Sequence, residues 1–149
     1  MKKYLIQTLI AVFIASAGFA NADVSVSQHV KRSFEREFQG AQGVNWERLG
    51  SNSIYHASFI LNSERLNAYF SAEGELIATG RYIKSEGLPL LVSKSIATNY
   101  PNQNIEEVIE YVTGNETSYI VKVAGARSIK YVRAYIDGNL TVLKKEKKK

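Results

Sequence analysis

Few side chains in this sequence could carry out acid-base or nucleophilic chemistry. The chain has two histidines, His29 and His56, no cysteine, and the two aspartates Asp23 and Asp137. Neither histidine belongs to a zinc-protease, nucleophile-elbow or phosphate-loop motif. A Ser-His-Asp triad would need one of these aspartates, and Asp137 stands before a glycine in a sequence that suits a tight turn. The sequence therefore predicts a protein that is not an enzyme and that uses no cofactor.

Three glutamates, Glu106, Glu107 and Glu110, lie close together in a segment rich in β-branched residues. In a strand, alternate side chains point to opposite faces. Glu106 and Glu110 would then share one face while Glu107 points to the other, so the three would not converge as calcium ligands do. We expect a solvated strand here and no metal site.

The N-terminus has the three parts of a secretory signal peptide. Lys2 and Lys3 precede an apolar run from Leu5 to Phe19, and Ala20-Asn21-Ala22 supplies the small residues that signal peptidase needs. The run is shorter than the roughly 20 apolar residues that span a bilayer, and no cysteine follows to carry a lipid anchor. We predict a signal peptide over residues 1–22, no transmembrane anchor, and a protein in the periplasm or outside the cell.

Positive charge is concentrated at the two ends of the sequence. The net charge is +5, but Lys2 and Lys3 would leave with the signal peptide, and residues 144–149 consist of lysines and one glutamate. A nucleic-acid-binding domain spreads its basic residues over a folded face, so this distribution predicts no nucleic-acid binding. Because blocks of like charge repel one another, residues 144–149 are predicted to form a disordered tail. A patch for anionic lipid is the alternative.

Hydrophobic periodicity predicts two helices. Between Ser27 and Gln39, apolar residues recur every four positions, at Val30, Phe34 and Phe38. The same spacing returns after Leu88-Pro89, at Val92, Ile96 and Tyr100. Proline is tolerated in the first turn of a helix and ends one that precedes it, so Pro89 and Pro101 set the limits of the second helix.

Strand-like segments follow each predicted helix. They span residues 44–47, 53–61, 65–72 and 75–83 after the first helix, and residues 105–112, 117–124, 128–136 and 140–143 after the second. Gly74 and Gly138 supply the positive φ of two hairpin turns. The halves match at an offset of about 62 to 64 positions, as an internal repeat would. We predict an α+β domain over residues 23–143, with two tandem repeats at about 27–84 and 85–143. Each repeat would be a helix with a four-stranded antiparallel sheet, the helices would pack on one face of a curved sheet, and the sheet would be continuous or nearly continuous over about eight strands.

Period-two alternation assigns the strand side chains to two faces. One set, which includes Tyr55, Phe59, Phe70, Val132 and Ile136, would pack under the helices as the core. The other set would face outward, and six of its members form the predicted partner-binding site: His56, Tyr69, Lys122, Tyr131, Arg133 and Tyr135. Tyrosine and arginine supply much of the binding energy of protein interfaces. The alternative is that these tyrosines simply suit a solvated sheet. Trp46 is predicted to fill the core or an edge.

The order and spacing of several short motifs resemble those of the PepSY-like and β-lactamase-inhibitor-protein-like families of exported bacterial proteins. The motifs are Val44-Asn45-Trp46, the aromatic strand and turn from Ala68 to Leu76, Leu88-Pro89, Tyr100-Pro101 with Ile105, and Asp137-Gly138-Asn139. The resemblance covers nearly all of residues 23–149 and implies a tandem duplication whose curved sheet carries helices on one face and leaves the other open to a partner. One departure is Glu73, where the family usually has aspartate in the turn.

Two functions are consistent with these features. In the first, the protein is a non-catalytic module that binds or inhibits another envelope or secreted protein through its open sheet face. In the second, it binds a small ligand or an envelope polymer, such as a peptide, sugar or lipid, in a concavity between the repeats. A protein partner favours a broad aromatic surface, whereas a small ligand requires a closed apolar pocket.

Overall fold

The structure is a computed structural model that describes residues 24–49 and 54–148. The predicted signal peptide, residues 1–22, lies outside the described residues. Two α-helices are present in the described part, α1 (Gln28–Glu37) and α2 (Leu90–Asn99), with a 3-10 turn at Ser85–Gly87. The strands are β1 (Gln42–Leu49), β2 (Ile54–Leu61), β3 (Glu64–Phe70), β4 (Leu76–Ile83), β5 (Asn104–Thr113), β6 (Glu116–Ala124), β7 (Ser128–Tyr135) and β8 (Leu140–Lys147).

Helix α1 begins directly after Ser27, as the sequence predicts, and ends at Glu37, two residues before the predicted end at Gln39. The Ser27 hydroxyl accepts a hydrogen bond from the Val30 amide at 3.3 Å, which satisfies one of the free N–H groups of the first turn. Val30 and Phe34 are buried on one side of the helix. In the last turn, the Phe38 amide donates to the Phe34 carbonyl. Gly40 follows the helix with a φ of +84°, which turns the chain away from the helix axis. Apolar spacing and capping together define this helix.

Helix α2 lacks a side-chain cap. Pro89 occupies its N-cap position in an extended conformation, and no side chain there bonds to the first turn. Val92 and Ile96 are buried, and the chain leaves the helix at Tyr100, whose amide donates to the Ile96 carbonyl. Packing of this apolar side, rather than capping, stabilises α2.

The described chain divides into two compact units. The first unit contains residues 24–81 with Val112–Gly114, and the second contains Tyr82–Tyr111 with residues 115–148. In the first unit, β1, β2, β3 and β4 pair successively in antiparallel fashion. In the second unit, β6 pairs with β7 and β7 with β8, again antiparallel.

Each unit has its own hydrophobic core beneath its helix. In the first unit, Phe34 of α1 packs edge-on against Phe59 of β2, with ring centroids 4.9 Å apart, and Trp46 of β1 lies 5.3 Å from the same ring. Phe70 of β3 completes this cluster and is fully buried. In the second unit, the buried side chains of Val92 and Ile96 pack on β6 and β7, against Tyr119, Val121, Val123, Val132 and Ala134. Burial of these side chains stabilises both units.

The predicted organisation into two tandem helix-plus-four-stranded-sheet repeats is wrong. The continuous sheet that the sequence predicts is present, with eight strands in the order of the chain from β1 to β8, but it is not built from two four-stranded sheets. Two separate four-stranded sheets would each expose two edges of unpaired N–H and C=O groups, and a continuous sheet has fewer such edges. The class α+β stands, with a sheet that far outweighs its two ten-residue helices.

The prediction of a disordered tail is also wrong for most of its length. Lys144, Lys145, Glu146 and Lys147 form the second half of β8 and pair with β7. The Lys148 amide extends this pairing by donating to the Arg127 carbonyl at 3.1 Å. The strand can form because its lysine side chains remain in solvent while the backbone hydrogen bonds to β7.

The core prediction is largely confirmed, and it fails at the end of β7. Tyr55, Phe59, Phe70 and Val132 are buried as expected. Ile136, which was assigned to the core, is 59% exposed because β7 ends at Tyr135 and the hairpin turn breaks the alternation. Trp46 is half-buried at the margin of the first core.

We expect Phe70→Ala to lower the free energy of unfolding by about 3–5 kcal/mol, because it removes a fully buried ring and leaves a cavity. The conservative variant Phe70→Leu should lose much less, and Ile136→Ala, at an exposed apolar position, should change stability by less than about 0.5 kcal/mol. Urea denaturation measures all three. Equal losses for Phe70→Ala and Ile136→Ala would contradict the assignment of the core.

The glycines of the hairpin turns allow a matched comparison. Gly138 (φ +87°) and Gly114 (φ +57°) both have left-handed backbone conformations. A Cβ at Gly138 would lie 2.8 Å from Ser95 Oγ and 3.3 Å from the Leu91 carbonyl oxygen of α2, whereas a Cβ at Gly114 would meet nothing within 4 Å. We expect Gly114→Ala to lose about 1 kcal/mol from backbone strain alone. Gly138→Ala should lose at least about 1 kcal/mol more from the steric contact with α2. Similar losses in urea denaturation would show that the turn does not pack against α2.

Candidate functional site

The candidate site is the side of the sheet that faces away from the helices, which we call the outer face. Strand pairing defines it: in β2 and β3, Ala57 opposes Ala68 on the core side, so the next pair, His56 and Tyr69, lies on the outer face. In β6 and β7, Val121 opposes Val132 in the core, and the outer face carries Lys122 opposite Tyr131, Ile120 opposite Arg133 and Ser118 opposite Tyr135. Each of the six predicted site residues thus lies on the outer face of its own unit, two in the first unit and four in the second.

His56 and Tyr69 are nevertheless buried, so the expectation that they face solvent is wrong. Their exposed fractions are 6% and 1%. The two rings stack with centroids 4.8 Å apart and planes inclined by 15°. Alternation predicts the face on which a side chain lies, and the packing of neighbouring side chains on that face decides whether water reaches it.

Both ring nitrogens of His56 have polar partners. Nδ1 lies 3.3 Å from Glu47 Oε2 on β1, and Nε2 lies 2.9 Å from Asn67 Oδ1 on β3. The buried Nδ2 of the same Asn67 amide has no hydrogen-bond partner. The cluster consists of a carboxyl group, an imidazole and an amide, so it contains no hydroxyl or thiol that could act as the nucleophile of a catalytic triad.

Arg133 is also buried, at 6% exposure, and the expectation that it faces solvent is wrong. Its Nε donates to Ser118 Oγ at 3.1 Å, and a terminal nitrogen lies 3.6 Å from Glu116 Oε1. The guanidinium carbon lies 4.8 Å from the centre of the Tyr135 ring. A buried arginine with these partners is a supporting residue that holds Tyr135 in place through a cation-π contact.

Lys122, Tyr131 and Tyr135 remain accessible, and we call these three residues the tyrosine patch. Lys122 Nζ lies 3.0 Å from Glu106 Oε2, and this hydrogen bond raises the pKa of the lysine. Burial raises the pKa of Tyr131, with a smaller contribution in the same direction from Glu146. The patch therefore presents a lysine, held by a carboxyl group, beside two tyrosine rings.

The sequence predictions missed the acidic residues that border the tyrosine patch. The sequence predicts a solvated strand around Glu106 and a disordered tail at residues 144–149. In the structure, Glu106 pairs with Lys122, and Lys144 on β8 lies directly opposite Tyr131 and pairs with Glu146. Period-two alternation alone would put Lys144 on the same face as Val142, and a register shift between Tyr131 and Val132 brings Lys144 opposite Tyr131 instead. No sequence pattern indicates this shift or the partner of Glu106.

A separate groove lies in the first unit, beside α1 and the start of β1. It encloses about 480 Å³. Phe34, Phe38 and Trp46 form its apolar wall, and Lys31 and Glu35 lie among its polar residues. This volume is within the usual range for small-molecule sites, although such sites usually enclose most of their ligand, whereas this groove is open to solvent along α1.

Within residues 24–49 and 54–148, no three histidine, aspartate or glutamate side chains are grouped so that they could hold a metal ion. In the same residues, no helix has the length and apolar character needed to cross a bilayer.

The fold is similar to that of several solved Bacteroides structures. A protein of Bacteroides eggerthii described as periplasmic superimposes with a TM-score of 0.72 at 14% identity, covering 83% of this chain and 90% of that chain. A DUF2874 family protein of Bacteroides uniformis gives a TM-score of 0.70 at 16% identity, with 81% and 88% covered. A BLIP-like protein of Bacteroides fragilis gives 0.65 at 19% identity, with 89% and 91% covered.

These likenesses show a shared fold. They agree with the resemblance to β-lactamase-inhibitor-like proteins, whereas the PepSY part of that resemblance stays a prediction. No protein-family model matches the sequence, and no curated protein matches it.

The raised pKa values of Tyr131 and Lys122 predict a loss of stability at alkaline pH. Because folding favours the protonated form of each group, its contribution is complete below the unfolded pKa, about 10 to 10.4, and is lost as the pH rises through the higher folded pKa. Tyr131→Phe should therefore make the fall in melting temperature between about pH 10 and 11.5 shallower than in the parent protein. Identical slopes for the parent and Tyr131→Phe would contradict this.

Proposed function

We propose that the protein is an exported, non-catalytic module that binds another envelope or secreted protein through the tyrosine patch on its outer face. The observation that carries the proposal is the accessible group of Lys122, Tyr131 and Tyr135, supported from below by the buried Arg133. The fold shared with a BLIP-like protein supports a binding role. His56 and Tyr69, which are buried, would act by fixing the neighbouring strands and would not touch the partner.

The tyrosine patch has the properties of an interface anchor. A tyrosine side chain offers a large apolar area with few rotatable bonds, and its hydroxyl can stay hydrogen-bonded after burial. Tyr135 rests on Arg133, and Lys122 is held by Glu106, so these side chains lose little freedom when a partner covers them. The entropic cost of binding at this patch would be low.

Charges of both signs border the tyrosine patch. Lys144 and Glu146 pair on β8, while Glu106 holds Lys122 on the other side. Charged groups at the rim of an interface mainly set the orientation and rate of association. A partner for this surface would have an apolar centre and a mixed-charge border.

Export is part of the proposal and rests on the predicted signal peptide at residues 1–22. Mass spectrometry of protein isolated from the periplasm or medium of its host should find an N-terminus at Asp23. Recovery of a chain that still begins at Met1 would contradict export by cleavage.

The proposed site is tested by capturing partners from envelope extract with the immobilised protein and then titrating the captured partner. Tyr131→Ala and Tyr135→Ala should each weaken binding by more than about 2 kcal/mol, which is about 30-fold in Kd, while circular dichroism stays unchanged. Leu90→Ala is the matched control, because Leu90 is 75% exposed and lies on α2, away from the outer face. Unchanged affinity for both tyrosine variants would refute this site.

The groove beside α1 favours a second candidate function, the binding of a small apolar ligand. Trp46 is the one tryptophan of the chain, so its fluorescence reports directly on occupancy of the groove. Saturable quenching by a lipid or aromatic ligand, lost in Phe38→Ala, would favour this function over the tyrosine patch.

A further inference from the structure

We propose that the β8 edge is a second binding site, which takes an extended acidic peptide as an added strand. This edge is distinct from the tyrosine patch, which lies on the face of the sheet. Among the described strands, β8 pairs with β7 and with no other. An unpaired strand edge offers a row of backbone donors and acceptors, and peptides bind to such edges by main-chain hydrogen bonding.

Hydrogen bonds at the end of the sheet show which residues of β8 point outward. The Lys148 amide donates to the Arg127 carbonyl, so Arg127 and Lys148 form a hydrogen-bonded pair at the end of the β7–β8 ladder. The Ser128 carbonyl accepts a hydrogen bond from the Gly125 amide, on the side of β7 that faces β6. The backbone groups of Ser128 therefore point away from β8, and Ser128 does not bond to its partner Lys147. Antiparallel pairs alternate between these two types. The N–H and C=O groups of Lys145 and Lys147 therefore point away from β7.

The side chains along this edge are strongly basic. Lys145 and Lys147 project to one side of the strand, while Lys144 and Lys148 project to the other, where Glu146 neutralises Lys144 in part. A strand added beside β8 would place alternate side chains next to Lys145 and Lys147. Carboxylates at every second position of that strand would complement both lysines.

One feature of β7 and β8 disfavours a purely structural role for these lysines. Lys130 lies directly opposite Lys145. Like charges at opposite positions of neighbouring strands destabilise a sheet. The Nζ of Lys130 lies over the Tyr100 ring, 4.8 Å from its centre, and this contact does not neutralise the positive charge of Lys130. Strand β7 contains no acidic residue that could pair with Lys145. An added acidic strand would supply the missing negative charge.

The probe is a ten-residue peptide in which glutamate alternates with threonine, titrated against the purified protein at low salt by fluorescence anisotropy. Saturable binding is expected, and the same peptide with lysine in place of glutamate should not bind. Absence of saturable binding would overturn the proposal, because the lysines would then only protect the edge against aggregation.

Two variants at one position separate charge from backbone pairing. Lys145→Ala removes a charge and keeps the outward N–H, so it should weaken binding about two- to threefold. Lys145→Pro removes the same charge and the N–H as well, yet keeps the pairing with β7 because that N–H does not face β7. It should weaken binding about a further tenfold, through the lost hydrogen bond and the clash of the ring with an added strand.

A modified peptide gives the same comparison without changing the protein. In this peptide every glutamate is N-methylated and the threonines are left unchanged. The modification preserves every charge and removes the N–H donors that face β8. We expect this peptide to bind at least about tenfold more weakly than its parent. Equal binding of both peptides, or equal affinity of Lys145→Ala and Lys145→Pro, would show a general polyanion surface, such as one for anionic lipid, and would overturn strand addition.

Discussion

The structure depends on one constraint: a sheet has two faces, and in each unit the helix covers one of them. In the first unit α1 packs over Phe59 and Phe70, and in the second α2 packs over Val121 and Val132. The alternate side chains, which lie on the other face, are not covered by a helix. They must either remain in water or pack against one another, and a buried polar side chain must find its partners among its neighbours on the same face.

The outer face shows both solutions. His56 is buried because Glu47 and Asn67 bond to its ring nitrogens and Tyr69 stacks on it. Arg133 is buried because Ser118, Glu116 and the Tyr135 ring surround its guanidinium. These contacts join neighbouring strands through side chains as well as through the backbone, which fixes strand register where the face is polar. The removal of one partner would leave a buried polar group without a hydrogen bond.

The sequence predicts the elements and faces well because local pattern determines them. Ser27 and the four-residue spacing of Val30 and Phe34 define α1, and alternation in β2 and β3 separates Phe70 from Tyr69. Exposure could not be predicted in this way, since it depends on which side chains meet across strands, as Glu47 meets His56 from nine residues away. The lysines of β8 mislead for a different reason: their composition is typical of a disordered tail, and their pairing with β7, the other strand of the same hairpin, makes them part of the sheet.

The same contacts bear on how such a small sheet could bind a partner. A tyrosine on a solvated strand samples several rotamers, and ordering it on binding costs free energy. Tyr135 lies against a guanidinium that is itself fixed by Ser118, and Lys122 is tied to Glu106, so the strands and their buried polar side chains orient the accessible ones before a partner arrives. In the second unit, the buried Ser118 and Arg133 therefore give the accessible Tyr135 its geometry. A mutation at Ser118 would then affect binding through the position of Tyr135, even though Ser118 is 1% exposed and out of a partner's reach.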